Sequence, residues 1–359
     1  MMTLETVLRR AESRGRQMTG GTMRHSKAEA GVVALIVIVC VLFAQAGSLP
    51  QTIVAFTLVW LLMGQSWNII SGMTGPLALG QAAFFGTSDF LSIWLHTNIG
   101  MNTWLAILLG LLASAALAAV LGVAALRLPF FYFAIASLMV PLILESLAEY
   151  GGFYSVLRPS YPSATFAQFW WPTPNAYVII GAIAVLLVAV FTAWLANRRT
   201  GRFFLAIREN QRAAEATGVP TFRYKVYAFV ISAVIAGFAG VLYGQLTYVF
   251  DPTSVFDPSI SIQALVIALV GGAGTILGPA IGAIIIVPAT ELALTYLSQA
   301  PGLNGIAYAI LLFAVAMWFP RGVYPTIAAK VSEARKRSRP AGLGNQPQSP
   351  IRKATNVSS

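Results

Sequence analysis

Long stretches without a charged residue constrain this chain more than any other feature of its sequence. The runs 30–88, 159–197 and 258–290 contain no Asp, Glu, Lys or Arg. Only 10% of the 359 residues are charged and 57% are hydrophobic, whereas soluble domains are about 25% charged. Because a soluble core of this size cannot bury such stretches, the sequence predicts an all-α polytopic membrane protein.

Turn residues divide the apolar sequence into about ten segments of transmembrane length, some of them broken by Gly and Pro. The run 258–290 is too long for one crossing at a rise of about 1.5 Å per residue, and Gly271-Gly272-Ala273-Gly274 divides it. An alternative is eight crossings, with the short piece 260–270 forming a re-entrant hairpin. The expected spans are 30–46, 51–70, 77–95, 103–126, 129–147, 176–195, 226–250, the two pieces of 258–290, and 303–319.

The basic residues predict the orientation of these spans. Of the 23 Lys and Arg residues, 21 lie in the blocks 1–29, 196–225 and 321–359. Because basic loops stay on the cytoplasmic side, both termini and the middle block are expected in the cytoplasm. The predicted organisation is a basic N-terminal tail (1–29), a permease domain (30–320) with a cytoplasmic loop (196–225), and a basic, disordered tail (321–359). Membrane orientation explains the net charge of +11 without nucleic-acid binding.

Several classes of chemistry are excluded by residues that the chain lacks. It has one cysteine, Cys40, and two histidines, His25 and His96, so neither a disulfide framework nor a His-based metal or catalytic site is expected. No Gly-Lys dipeptide occurs, so there is no Walker A loop for nucleotide phosphates. We therefore expect no cofactor and no enzymatic activity on this chain.

Four segments go beyond generic membrane character. They are Gly-Pro-Leu-Ala-Leu-Gly-Gln-Ala-Ala-Phe-Phe-Gly at 75–86, the loop 201–220 with Ala-Ile-Arg-Glu-Asn at its centre, Ala-Phe-Val-Ile-Ser-Ala-Val-Ile-Ala-Gly-Phe-Ala-Gly at 228–240, and Gly-Gly-Ala-Gly-Thr-Ile-Leu-Gly-Pro at 271–279. Small residues allow close helix contacts, and Gly-Pro breaks helices at places that usually line a cavity. Over residues 50–320 these motifs resemble the branched-chain amino acid permease family of ATP-binding-cassette (ABC) importers, in particular its M-type inner-membrane subunit.

The resemblance implies a permease subunit in a bacterial inner membrane. Its partners would be two ATPase subunits, a second homologous permease and an external solute-binding protein. In this family a short helix of the cytoplasmic loop docks on the ATPase, and Ala213 and Ala214 would present its low-relief surface. Arg212 replaces a glutamate that importer permeases usually carry before this pair. The residues that match the coupling element are Arg208, Glu209, Asn210, Ala213, Ala214 and Gly218.

Polar side chains within the apolar runs are the candidates for the translocation path. An amide or carboxylate in lipid needs a partner or a cavity, and a central carboxylate costs about 2.5–3.5 kcal/mol. The candidates are Gln81, Asp89, Glu145 and Glu291; the alternative for the three acids is a position near the outer surface. Asp89 and the segment 149–154 depart from the M-type pattern, so branched-chain amino acids and another small polar solute are both open.

The rival interpretation is a secondary transporter or channel that works without an ATPase. It would require this chain alone to move solute along an ion gradient. The few intramembrane charges and the lack of a proton-relay pattern favour the ABC permease.

Overall fold

The computed structural model describes residues 29–151, 174–247, 251–296, 322–324 and 326, and the described part is helical without strands. A π-helical segment, Asn68–Gly72, continues α2. The predicted tails 1–29 and 321–359 and the tenth span 303–319 fall mostly outside these residues. The helices are α1 (Glu29–Ala44), α2 (Ser48–Trp67), α3 (Gln81–Ile99), α4 (Thr103–Ala125), α5 (Phe130–Tyr150), α6 (Pro174–Asn197), α7 (Arg199–Glu209), α8 (Gln211–Ala216), α9 (Thr221–Thr247), α10 (Pro252–Val255), α11 (Pro258–Gly271) and α12 (Gly278–Tyr296).

The sequence left open whether the piece 260–270 spans the membrane or is re-entrant. In this region, local sequence signals mark where the helices begin. Asp251 and Asp257 cap α10 and α11, accepting hydrogen bonds from the backbone N–H of Thr253 and Ser259, and a proline follows each cap. Capping carboxylates and a first-turn proline favour a helix start. The piece 260–270 is therefore part of a helix, and α10 and α11 together form an apolar unit of 20 residues, Pro252–Gly271.

Six helical units in the described residues are long and apolar enough to cross a membrane. The expected number of ten spans is not confirmed. Helices α1 and α12 are apolar but offer shorter stretches, Glu29–Ala44 and Gly278–Ala293. Helix α3 has 19 residues, and Gln81, Ser88 and Asp89 make it the most polar of the long helices within the bundle. The six units are Ser48–Gly72, Thr103–Ala125, Phe130–Tyr150, Asn175–Asn197, Thr221–Thr247 and Pro252–Gly271.

Helices α2, α3 and α9 form the centre of the bundle. Helix α2 packs against α6, α9, α11 and α12, and α3 packs against α4 and α9. Glycines on α9 allow the close approach to α3: Gly240 faces the backbone of Phe85, and Gly244 faces the carboxylate of Asp89. Helices α4 and α5, by contrast, expose most of their surface. The bundle thus buries α2 and α3 and turns apolar side chains of its outer helices outward, as lipid exposure requires.

The sequence misplaced two helix starts. Residues 75–80 are not helical, although the apolar run from Leu77 predicted a span there, and α3 begins only at Gln81. Helix α9 begins at Thr221, five residues before the predicted start at Val226. The charged residues Arg223 and Lys225 indicated a loop, but they lie in the first turns of α9.

Candidate functional site

Two helix breaks meet at one end of the bundle. The first break comprises residues 75–80, after the π-helical segment and before α3, and the second comprises residues 272–277, between α11 and α12. Asn68, in the π-helical segment that leads into the first break, binds the second one: its Oδ1 accepts from the Gly274 N–H at 2.6 Å and its Nδ2 donates to the Thr275 carbonyl at 2.8 Å. Gln65 Nε2 donates to the Ile276 carbonyl at 2.7 Å. One face of α2 therefore holds the second break in place.

Serines from other helices satisfy the backbone of the first break and of the start of α3. Ser71 Oγ accepts from the Ala78 N–H at 3.1 Å, and Ser137 Oγ on α5 accepts from the Leu79 N–H at 3.0 Å. Ser261 Oγ on α11 accepts from the Ala82 N–H at 2.8 Å. Unpaired N–H groups at a helix start are costly inside a membrane, so these bonds make a non-helical segment tolerable there.

The start of α1 and the segment 322–324 also reach the second break. Glu29 Oε2 accepts from the Ile276 N–H at 3.1 Å, and Glu29 Oε1 accepts from the Tyr324 hydroxyl at 2.9 Å. Burial raises the pKa of Tyr324 to about 12, and its hydrogen bond to Glu29 adds to the rise. The hydroxyl therefore remains a donor at physiological pH.

The predicted coupling loop contains two helices rather than one. Asn210 has extended backbone angles and separates α7 from α8, and its side chain caps α8 by accepting from the Ala213 N–H at 3.1 Å. Gly218 follows α8 with φ +85, in agreement with the predicted helix stop. Arg208 and Glu209 form the end of α7. All six predicted coupling residues therefore lie within one folded element, α7–α8.

The alanine pair does not form a common surface, contrary to expectation. Ala214 is buried on the inner face of α8, whereas Ala213 is exposed. Adjacent residues on a helix point about 100° apart, so one of the two faces the protein. The exposed small side chains of α8 are therefore those of Ala213 and Ala216, and Ala214 contributes to packing within the chain.

Helix α8 is tied to α9 by a short polar chain. Glu215 Oε1 accepts from the Thr221 hydroxyl at 2.6 Å and from Gln211 Nε2 at 2.8 Å. These hydrogen bonds, that from Thr221 foremost, lower the pKa of Glu215 below its usual value of 4.5. The carboxylate form of Glu215 thus favours the observed position of α8.

Arg208 lies directly against both helix breaks. A Cβ built on Gly75 of the first break would be 3.4 Å from the Arg208 Cα. A Cβ built on Gly274 of the second break would be 2.9 Å from the Arg208 Cζ and 2.9 Å from the Gly72 carbonyl oxygen. Both glycines have positive φ, +99 and +86, a backbone conformation that favours glycine. A cavity of about 280 Å³ opens beside this contact, between the first break, the start of α5 and α7–α8.

Gln81 belongs to a buried polar cluster at the start of α3. Its Nε2 donates to Ser232 Oγ on α9 at 2.9 Å, and its Oε1 accepts from Ser66 Oγ on α2 at 3.1 Å. Ser66 is also within 2.8 Å of the Ser232 carbonyl. The three side chains are fully buried and join three helices.

Asp89 lies eight residues farther along α3 and is only 1% exposed. Neither of its carboxyl oxygens has a hydrogen-bond partner among the described residues. Glu145 on α5 and Glu291 on α12 are half-buried. No hydrogen bond or ion pair between described residues joins Gln81, Asp89, Glu145 and Glu291, so the structure does not assemble them into one site.

No metal site is present in the described ranges, where no group of three or more His, Cys, Asp or Glu side chains comes together.

The sequence analysis missed the residues that organise the two breaks. Gln65 and Asn68 are amides in an uncharged apolar run, so the argument that singled out Gln81 applied to them equally.

The chain is similar to known transport permeases over most of its length. A sequence profile of the family described as branched-chain amino acid transport system, permease component, matches residues 49–316. The permease protein LivM of the high-affinity branched-chain amino acid transport system is 27% identical over 299 residues, in both Salmonella typhimurium strain LT2 and Escherichia coli K12. These alignments cover 76% of this chain and 69% of LivM.

A second subunit of that system is also similar. LivH of Salmonella typhimurium is 32% identical over 145 residues, which is 40% of this chain and 46% of LivH. No solved structure matches the chain. The profile covers well over half of the sequence. The chain therefore belongs to the family of branched-chain amino acid transport system permease components, and it is a non-enzymatic permease subunit of an ABC transporter.

Proposed function

We propose that this chain forms half of an import path for branched-chain amino acids or a related small polar solute. A second, homologous permease would form the other half, as the likeness to both LivM and LivH suggests. Two ATPase subunits would bind on the cytoplasmic side, and an external binding protein would deliver the solute. The chain would cross a bacterial inner membrane about ten times, with both termini in the cytoplasm.

The placement of charges along α9 supports this orientation. Arg223 and Lys225 lie at the start of α9, next to α7–α8, whereas the acidic caps Asp251 and Asp257 follow its end. Basic residues favour the cytoplasmic side. Both helix breaks contact Arg208, so they lie at the same end of the bundle, which would be the cytoplasmic end in this orientation.

The observation that carries the proposal is the folded α7–α8 element between two long apolar helices. Phe204 and Ile207 of α7 and Ala214 of α8 are buried in the protein, whereas Ala213 is exposed. A folded element joined rigidly to α6 and α9 can carry motion, and its open face offers a separate ATPase a contact surface. We assign docking to the face that contains Ala213.

A pair of neighbouring substitutions tests this assignment. Ala213→Trp enlarges the open face, so ATPase co-purification and leucine uptake should both fall while the amount of protein in the membrane stays normal. Ala214→Trp overfills a buried position, which costs about 1–3 kcal/mol, so the amount of folded protein should fall. Normal co-purification and uptake by the Ala213→Trp variant would show that α8 is not the docking surface.

Gln81, Asp89, Glu145 and Glu291 remain candidates for lining the translocation path, but two of them would do so only in another conformation. Because Gln81 and Asp89 lie inside the helix packing, they would face the path only after α3 and α9 move apart. Glu145 and Glu291 are half-buried in the observed state. Uptake competition among leucine, a short amide and urea, measured in cells that carry the complete importer, would identify the solute class.

A further inference from the structure

We propose that Arg208 transmits the movement of α7–α8 to both helix breaks, which then shift together as one unit. This inference rests on the proposed function, because an ATPase must move α7–α8. It gives Arg208 a positioning role within the permease rather than a place on the docking surface. The argument depends on how Arg208, Gly75, Gly274 and Asn68 are arranged.

Arg208 contacts the two breaks with different parts of the residue. Its backbone lies against the first break, since the Cβ position of Gly75 is 3.4 Å from the Arg208 Cα and 3.8 Å from its Cβ. Its guanidinium lies against the second break, where it occupies the space that a side chain on Gly274 would need. A displacement of α7 therefore pushes directly on both breaks.

The second break is also bound to the π-helical segment that leads into the first break. Asn68 accepts a hydrogen bond from Gly274 and donates one to Thr275, and it lies one turn before Gly72. A Cβ built on Gly72 would be 2.8 Å from the Gly274 nitrogen, so the two backbones touch there. Two segments held by several short contacts move as one body more easily than they separate.

The position of the breaks explains how such a movement would reach the path. The first break leads into α3 at the buried Gln81 cluster, and the second joins α11 to α12. Residues 75–80 are not helical, so bending there sacrifices fewer hydrogen bonds than bending within a helix. The cavity beside Arg208 leaves room for α7 to move toward α5.

A matched arginine pair provides the first test. Arg202, like Arg208, is an exposed arginine of α7, so Arg208→Ala and Arg202→Ala remove equal charge from the same helix. The complete importer, purified through a tag on this chain, is reconstituted with its binding protein and leucine. We measure ATPase subunits per permease, stimulation of ATP hydrolysis by the loaded binding protein, and leucine uptake.

For Arg208→Ala we expect a normal ATPase content and a loss of stimulation and uptake of about tenfold, a typical size for coupling between sites. Arg202→Ala should behave as the wild type. If Arg208→Ala lowers the ATPase content in parallel with uptake, Arg208 is a docking contact and the inference is wrong. If all three quantities remain normal, it is equally wrong. Neither result affects the proposed docking face, which the Ala213→Trp variant tests separately.

A glycine pair tests the same contact from the side of the break. Gly75→Ala and Gly100→Ala both place an alanine at a positive φ, +99 at Gly75 and +69 at Gly100, but no described atom lies within 4 Å of the Gly100 Cβ position. Gly75→Ala should reproduce the uncoupling of Arg208→Ala, and the double variant should be no worse than either single one. Wild-type coupling in Gly75→Ala, or additive losses in the double variant, would overturn the inference.

Discussion

Replacing Gly240 with alanine tests a close backbone contact between α3 and α9. A Cβ at this position of α9 would overlap the carbonyl oxygen of Phe85 on α3, and it would lie 2.8 Å from the Phe85 carbonyl carbon and 3.1 Å from its Cα. All three atoms belong to the backbone, so no side-chain rotation can relieve the overlap. Carbon atoms pack best at about 3.5–4.0 Å, so α3 and α9 must separate locally by about 1 Å.

This separation has a predictable cost. Overfilling a close-packed interior costs about 1–3 kcal/mol, which lowers the melting temperature by several degrees, at about 2–4 °C per kcal/mol for domains of 150–250 residues. The hydrogen bond from Gln81 to Ser232 joins the same two helices, so it should weaken as well. The variant should therefore remain folded but melt earlier.

The assay is thermal aggregation of detergent-solubilised protein, followed by fluorescence-detected size exclusion. Gly31→Ala on α1 is the matched control, because no described atom lies within 4 Å of its Cβ position. It should leave the melting temperature unchanged or raise it slightly, since alanine has the higher helix propensity. Equal melting temperatures for Gly240→Ala and Gly31→Ala would refute the close contact of α3 and α9.

Two further predictions concern polar contacts. Gln81→Leu should cost about 1 kcal/mol, because it removes two buried interhelical hydrogen bonds of about 0.6 kcal/mol each; the same thermal assay measures this, and an unchanged melting temperature would contradict the Ser66–Gln81–Ser232 cluster. The lowered pKa of Glu215 stabilises α8 above pH 4.5, and this contribution is lost as the pH falls through the depressed value. Amide-exchange protection of residues 213–219 should decline there, and Thr221→Val should shrink this pH dependence; a decline of the same size in that variant would contradict the role of the Thr221 hydrogen bond.

The apolar runs predicted most helices within a few residues. The span 103–126 is α4, Thr103–Ala125, and 176–195 is the centre of α6, Pro174–Asn197. In both, an uninterrupted apolar run coincides with the helix. The errors occur where an apolar sequence does not form a helix, as at Leu77-Ala78-Leu79. This segment is tolerated because Ser137 accepts a hydrogen bond from the Leu79 N–H and Ser261 accepts one from the Ala82 N–H. Both serines belong to helices that are distant in sequence.

The functional region was only partly predictable for a related reason. Helix formers and Gly218 marked the α7–α8 element, but they did not reveal the break at Asn210 or which alanine faces outward. The second break is held beside the first by the hydrogen bond between Asn68 and Gly274, which are 206 residues apart. Local patterns contain no information about such a pairing, whereas the unusual presence of an amide in an apolar run does indicate that a partner must exist.

Reconstitution in liposomes tests the central claim most directly. Vesicles that contain this chain alone are compared with vesicles that contain it together with its second permease and ATPases, with binding protein outside and ATP inside. If the chain is an ABC permease subunit, leucine uptake should occur only in the complete, ATP-loaded vesicles. The chain alone should not hydrolyse ATP. Leucine uptake by the lone chain, driven by a proton or sodium gradient, would contradict the account and establish a secondary transporter.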